Sequence, residues 1–199
     1  ELGVVVNALG GAADGSGADR APAESVAAEI VAAGGAAVSD GNDVSSEAGA
    51  TAIVETAVRT FGRVDVVVNN AGIVRWADMP DVGTDDLRRT IDVHVLGSFN
   101  VTKAAWPHMV EQGYGRIVMT TSTGMLGLRG NLAYATAKAA VVGMTRSMAL
   151  SAAPHGITVN LIAPAAATRM GGDPGGQADA SSPMSPDLVA PIVAYLAHE

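Results

Sequence analysis

The chain has 199 residues, 48% apolar and only 16% charged, which is enough to bury one substantial core and too apolar for disorder. Twenty acids against twelve bases give a net charge of −8; this excludes the basic footprint of a nucleic-acid binder and reads as solubility. The absence of cysteine excludes disulfides and thiolate metal sites and suits the cytoplasm, and no apolar run approaches the roughly 20 residues of a membrane span.

Glu1-Leu2-Gly3 lacks the basic start of a signal peptide. Aromatics are scarce, so the core must be built from Ala, Val, Ile, Leu and Met. In chain order, Val4–Val6 reads as the first strand, and a loop rich in Gly, Ala and Asp runs from Gly10 to Pro22. A helix is expected over 22–34, ending at Gly34-Gly35, then a weak strand at Ala36–Val38 and a helix over 46–61 closed by Gly62. Val64–Val68 is the next strand. Thr84, with Asp85 and Asp86 behind it, reads as the N-cap of one long helix over 84–112. Strands at Arg116–Met119 and Ile157–Ile162 enclose a helix over 132–153. A second loop, Gly171 to Pro186, precedes a last helix over 186–198. The strands are β-branched and apolar on both faces, as in a parallel sheet covered on both sides. Their alternation with helices predicts a doubly wound α/β sheet in one domain over 1–199.

Ligands of such sheets bind outside the carboxyl ends of the strands, and the unusual small and polar residues fall there. They are Asp43-Val44, Asn69-Asn70-Ala71-Gly72, Thr120-Thr121-Ser122 and Ala163 to Thr168. Each loop alone is a plain surface connection or a lid; four polar clusters on one edge favour a binding site. Tyr134 and Lys138 stand at i and i+4, on one helix face. That spacing is common by chance, yet Lys138 is one of only two lysines. A tyrosine acting as a base near pH 7 must be lowered by about 3 pH units, or ~4 kcal/mol. A cation at roughly 4 Å and an effective dielectric of ~20 supplies about that much. Ser122, twelve residues upstream, could hold a substrate oxygen beside the phenol.

The N-N-A-G at 69–72, Thr-Thr-Ser at 120–122, Tyr134 with Lys138, and V-N-x-I-x-P at 159–164 together resemble the short-chain dehydrogenase/reductase family along nearly the whole chain. The resemblance implies a Rossmann-type sheet and an oxidoreductase that uses NAD or NADP to interconvert a secondary alcohol and a ketone. Tyr134 would give and take the proton, Lys138 would bind the nicotinamide ribose and lower the tyrosine, and Ser122 would orient substrate. Asp43 and Val44 would lie against adenine. Asn70, Ala71 and Gly72 would line the cofactor cleft, and Pro164, Ala166 and Thr168 would reach the nicotinamide end. No metal is implied. The stretches 5–11, 92–99 and 163–170 resemble most the (3R)-hydroxyacyl-CoA dehydrogenase domain of multifunctional β-oxidation enzymes and its bacterial single-domain relatives. They imply an acyl thioester or similar alcohol as substrate, and a homodimer or homotetramer pairing the helices at 84–112 and 132–153.

The sequence departs from the family pattern in several places. The family's first strand and its T-G-x-x-x-G-x-G phosphate loop do not stand in these residues, nor does its last strand, so the domain reads as incomplete at both ends. Losing a central strand would open a gap of roughly 9.6 Å, twice the ~4.8 Å strand spacing, and leave two edges unpaired. Such a domain alone would not bind a dinucleotide tightly, and the competing reading is a non-catalytic structural or regulatory domain. Ala8 stands where NAD-preferring members carry an acid, but no arginine replaces it, which favours NAD. His94 takes the place of a helix asparagine that supports a water beside the lysine; a lone helix histidine is otherwise most often structural. The serine spacing is one residue short, so Ser122 is chosen on strand position and Thr121 on distance from Tyr134. Asn69 and Asn70 read as cofactor contacts or strand caps, and Asp43 as an adenine contact or helix cap. Trp106 and Met109 read as core or subunit interface, and Trp76 as a loop residue.

Overall fold

The structure is a computed structural model and describes residues 3–168, 170 and 182–198. All five expected strands form: β1 (Gly3–Asn7), β2 (Ala36–Asp40), β3 (Val66–Asn69), β4 (Gly115–Thr120) and β5 (Ile157–Ile162). Every pairing is parallel, yet the strands make two sheets, β1–β2 and β3–β4–β5. β1 and β3 are each paired along one edge only, among the described residues. The helical crossovers that parallel strands require are α1 (Ala21–Ala32), α2 (Glu47–Phe61), α3 (Thr84–Ile91), α4 (Gly97–Gln112) and α5 (Leu132–Ala152), with α6 (Ala190–Ala197) after the last strand.

Two local expectations need correction. The span 84–112 is not one uniform helix, because Asp92–Leu96 forms a π-helical turn between α3 and α4. Thr84 is the first helical residue rather than the cap: Gly83 is extended, and Asp86 accepts its amide N–H at 3.3 Å. At the start of α2, Ser46 accepts the Gly49 N–H at 3.0 Å, and the helix ends on left-handed Gly62. Asp43 is therefore not that helix's cap; its carboxylate accepts the amide and hydroxyl of Ser45, each at 2.8 Å.

The core lies between β3–β4–β5 and helices α2, α4 and α5. Ile117 and Met119 of β4 are fully buried, with Met109 from α4 and Val141 from α5 packed over them. That fits Met109 to the core. Trp106 is half-buried against the same cluster. The loop after β1 is pinned: Asp19 N–H donates to Leu9 C=O, Val74 N–H to Ala13 C=O, and Arg89 to Gly15 C=O. The second expected loop, 171–186, lies mostly outside the described residues. No helix among the described residues is long and apolar enough to cross a membrane.

Candidate active site

β4 is the central strand of its sheet, and its carboxyl end aims at the amino-terminal half of α5. Thr121 and Ser122 leave it in opposite directions, as successive residues of an extended chain do. Thr121 is buried, and its hydroxyl donates to the Lys138 carbonyl at 2.7 Å. Ser122 caps a short 3₁₀ turn (Thr123–Leu126) by accepting the Gly124 N–H at 3.1 Å, and its hydroxyl lies beside Tyr134, near enough to lower the phenol. The geometry therefore puts Ser122, not Thr121, beside Tyr134.

Lys138 lies one turn along α5, is only 4% exposed, and its ammonium donates to the Thr120 carbonyl at 2.7 Å. Its Nζ sits 5.4 Å from the centre of the Tyr134 ring. Burial pushes the Lys138 amine down to about 8. Burial also pushes the Tyr134 phenol up, with the Ser122 hydroxyl pulling the other way. The lowering of Tyr134 expected from spacing does not show in this structure, where burial of the phenol dominates.

His94 stands in the π-helical turn, 1% exposed, with its ring edge-on to Tyr134 at 5.2 Å. Its Nε2 is 2.7 Å from the Ile73 carbonyl and 3.1 Å from the Ile73 amide. One nitrogen cannot donate and accept with a single hydrogen, and the shorter contact fits Nε2–H donating to the carbonyl. Nδ1 is then a bare acceptor, and it has no partner. Burial first, then the Lys138 charge, hold the imidazole down at about 4, so it is neutral at physiological pH. Gly72 is required here, since a Cβ would run into the His94 ring.

The N-N-A-G segment divides in two. Asn69 is buried and donates to Thr102 Oγ1 at 3.0 Å and to the Met119 sulfur at 3.2 Å, so it ties β3 to α4 and β4 and is not a cofactor contact. Asn70 and Ala71 are exposed, and Gly72 is half-buried. Val44 packs against Gly97 at the start of α4. Pro164, Ala166 and Thr168 follow β5 and are half-buried, and the Ala167 N–H donates to the Met184 carbonyl. Arg169 lies outside the described residues. The three buried side-chain polar atoms without partners among the described residues are His94 Nδ1, Thr120 Oγ1 and Asn131 Oδ1. Thr120 ends β4, Asn131 begins α5, and His94 touches Tyr134, so these orphans surround one site. Buried polar groups without partners mark places where a water or ligand belongs. Thr120 stands in the Thr120-Thr121-Ser122 cluster already read as part of the binding edge, whereas nothing in the sequence singles out Asn131.

The profile of a family described as short chain dehydrogenase matches residues 13–173, most of the chain. This chain belongs to the short-chain dehydrogenase/reductase family. It is 44% identical to a short-chain type dehydrogenase/reductase of Mycobacterium tuberculosis over 98% of its own length and 68% of that protein. It is 43% identical to the peroxisomal multifunctional enzyme type 2 of Drosophila melanogaster, over 98% of its length and 32% of that enzyme. The chain thus spans about a third of that multifunctional relative. Among solved structures, a short chain dehydrogenase from Mycobacterium avium superposes with a TM-score of 0.83 at 38% identity, over 97% of this chain and 68% of that one. An NAD+-bound xylitol dehydrogenase gives 0.74 at 34% identity, over 81% and 60%. A gluconate 5-dehydrogenase from Burkholderia cenocepacia in complex with NADP and tartrate gives 0.74 at 30% identity, over 83% and 62%. Those two dehydrogenases bind different dinucleotides, one each.

Proposed function

We propose that the protein is an NAD(P)-dependent oxidoreductase that interconverts a secondary alcohol and a ketone, with a 3-hydroxyacyl thioester as its substrate class and NAD favoured because no arginine stands at Ala8. The observation that carries this reading is the convergence of Ser122, Tyr134 and buried Lys138 where β4 meets α5. The whole chain is read as one Rossmann-type domain.

The residues present fit the nicotinamide end of a dinucleotide. Lys138 carries three N–H donors and has one acceptor, the Thr120 carbonyl, so ribose hydroxyls would suit the rest. The Thr120 Oγ1 of the same residue, unpartnered among the described residues, points to the same need. Lys138, Asn70, Ala71, Gly72, Pro164, Ala166 and Thr168 would hold that end, and Asp43 and Val44 the adenine. The bound dinucleotide supplies a carrier for hydride. The chain's residues do the rest: Ser122 donates to the substrate oxygen and fixes it beside Tyr134, whose phenol oxygen exchanges the proton. Burial that raises the phenol suits it as a proton donor in the ketone-reducing direction. Neutral His94 braces the Tyr134 ring against the Ile73 backbone without adding charge.

Exposed apolar side chains support a substrate with an acyl tail. Trp76, Met79 and Leu126 lie on two loops that meet through the Ala77–Asn131 bridge and the Asp78–Gly130 hydrogen bond. The subunit interface is read onto the outer faces of α4 and α5, where Phe99, Trp106 and Met148 line an apolar groove of about 310 Å³. The cysteine-free sequence supports a cytoplasmic location.

A second reading, a non-catalytic domain of the same fold, is favoured by one observation: β1 and β3 are each paired on one side only, among the described residues. The deciding experiment is an NADH and NADPH fluorescence titration, followed by turnover of a 3-hydroxyacyl thioester. The enzyme reading expects micromolar binding of one dinucleotide by the full-length protein that carries these residues together with a phosphate loop. It also expects a ~10²–10⁴-fold loss of kcat in Tyr134→Phe, the usual scale of a lost acid–base group, with dinucleotide affinity retained. Wild-type protein that binds neither dinucleotide and turns nothing over would establish the non-catalytic reading.

A further inference from the structure

A second polar cleft, of about 280 Å³, lies at the outer edge of β2, away from Ser122, Tyr134 and Lys138. It is lined by Arg20, Ala23, Ser39, Asp40, Gly41, Asn42, Thr56 and Arg59. We propose that this cleft binds a small phosphate-bearing ligand through the paired guanidinium groups of Arg20 and Arg59.

The argument rests on how charge is distributed in the cleft. Asp40 is the only acid among its lining residues, and its carboxylate is already committed. It accepts Asn7 Nδ2 at 2.9 Å, the Asn42 amide at 2.8 Å and Asn42 Nδ2 at 2.9 Å. Those donors take up most of the roughly four lone-pair positions of a carboxylate, and all are neutral. Neither Arg20 nor Arg59 forms an ion pair among the described residues, although Arg63, Arg75 and Arg88 each do. Two positive charges therefore face the cleft against one amide-wrapped negative charge, in a chain whose net charge is −8.

Both arginines are also held in place. The Arg20 side chain lies across Gly41, where a Cβ would stand 2.6 Å from its Nε, so the glycine makes room for it. Arg59 donates to Thr56 Oγ1 at 3.2 Å, one helical turn away on α2. Arg20 precedes α1, and buried Ala23 of its first turn lines the cleft; the Ala21 N–H at that helix start is already taken by the Asp19 carboxylate at 2.9 Å, so the arginines and not the helix end supply the positive charge. Paired arginines favour phosphate, because their planar forks match its oxygens two at a time. The exposed Ser39 hydroxyl supplies a further donor at the rim. The cleft's volume leaves room for the group that the phosphate esterifies.

Isothermal titration at low ionic strength, on the whole protein, tests this with three probes: inorganic phosphate, glycerol phosphate and succinate. The expected result is binding of glycerol phosphate that weakens at least ~10-fold in the Arg20→Gln, Arg59→Gln double variant, as loss of charge-assisted bidentate contacts requires. Tyr134→Phe should bind as wild type does, which separates this cleft from the proposed active site. Equal affinity for inorganic phosphate and glycerol phosphate would make free phosphate the ligand; tighter glycerol phosphate would make it a phosphate ester. The proposal is overturned by no binding of either phosphate, by undiminished binding in a double variant that melts at the wild-type temperature, or by succinate binding as tightly as phosphate. If the double variant is unstable, Arg20→Lys with Arg59→Lys serves in its place. That pair keeps the charge and should still lose affinity, since lysine lacks the planar fork.

Discussion

The two sheets of this molecule are made of nearly the same material and end in different states. β1 is Gly-Val-Val-Val-Asn and β3 is Val-Val-Val-Asn. In β1 no residue is buried, and Val4 is 39% exposed; in β3, Val67 and Asn69 are buried. Beside β3 lies β4, whose last four residues are all buried, with α4 and α5 over it. Among the described residues β1 pairs only with β2, with α1 and α2 against it, and the core cluster takes nothing from β1, β2 or α1. Apolar composition supplies the capacity for burial, while neighbours on both edges and both faces decide whether it is used.

The comparison predicts a large asymmetry in stability. Ile117→Ala in β4 should cost about 2–5 kcal/mol, the range for emptying a fully buried aliphatic site. Val5→Ala in β1 should cost less, ~1 kcal/mol, because Val5 is only partly buried and lies outside the core cluster. Urea midpoints of the two variants measure this directly, and equal losses would break the comparison.

A second effect of similar size is confined to the three-stranded half. His94 titrates at about 4 in the folded protein against 6.5 when unperturbed, so between those values the unfolded chain binds the proton first. Stability from this group is flat above pH 6.5, falls as pH drops from 6.5 to 4, and loses about 3 kcal/mol in all. Unfolding of wild type and His94→Asn compared across that window should show the wild type losing the extra stability. Parallel pH curves would remove the neutral-histidine account of the site.

The smallest effect concerns the element that joins the halves. α2 packs on β1 and also on α4, and its start depends on the Ser46 cap. Ser46→Ala should cost ~1 kcal/mol and, in hydrogen exchange, should loosen β1–β2 more than β3–β5. Uniform loss of protection would mean that the halves open as one unit.

The sequence made the strands legible because valine runs bounded by glycine and polar residues leave little alternative. It also made the Tyr134–Lys138 pair and Ser122 legible as a group. What it could not show were directions and environments. Asn69 and Asn70 look alike in the chain, but strand alternation turns the first into the core and leaves the second exposed. The same alternation separates Thr121 from Ser122. The π-helical turn at 92–96 changes hydrogen-bond register without disturbing the apolar pattern, so no periodicity announces it. Spacing reports a cation near Tyr134 but not the burial around the phenol, which raises it in this structure.

The one-sided pairing of β1 and β3 also governs how the protein behaves in company. Each presents a row of backbone donors and acceptors beside exposed valines, Val4 on one and Val68 on the other, which is a template for another chain's strand. What keeps molecules apart is their shared negative charge, and that repulsion is screened over about 10 Å at 0.1 M salt. For a molecule that presents these edges, added salt would weaken the repulsion and leave the strands beside Val4 and Val68 free to meet those of another chain.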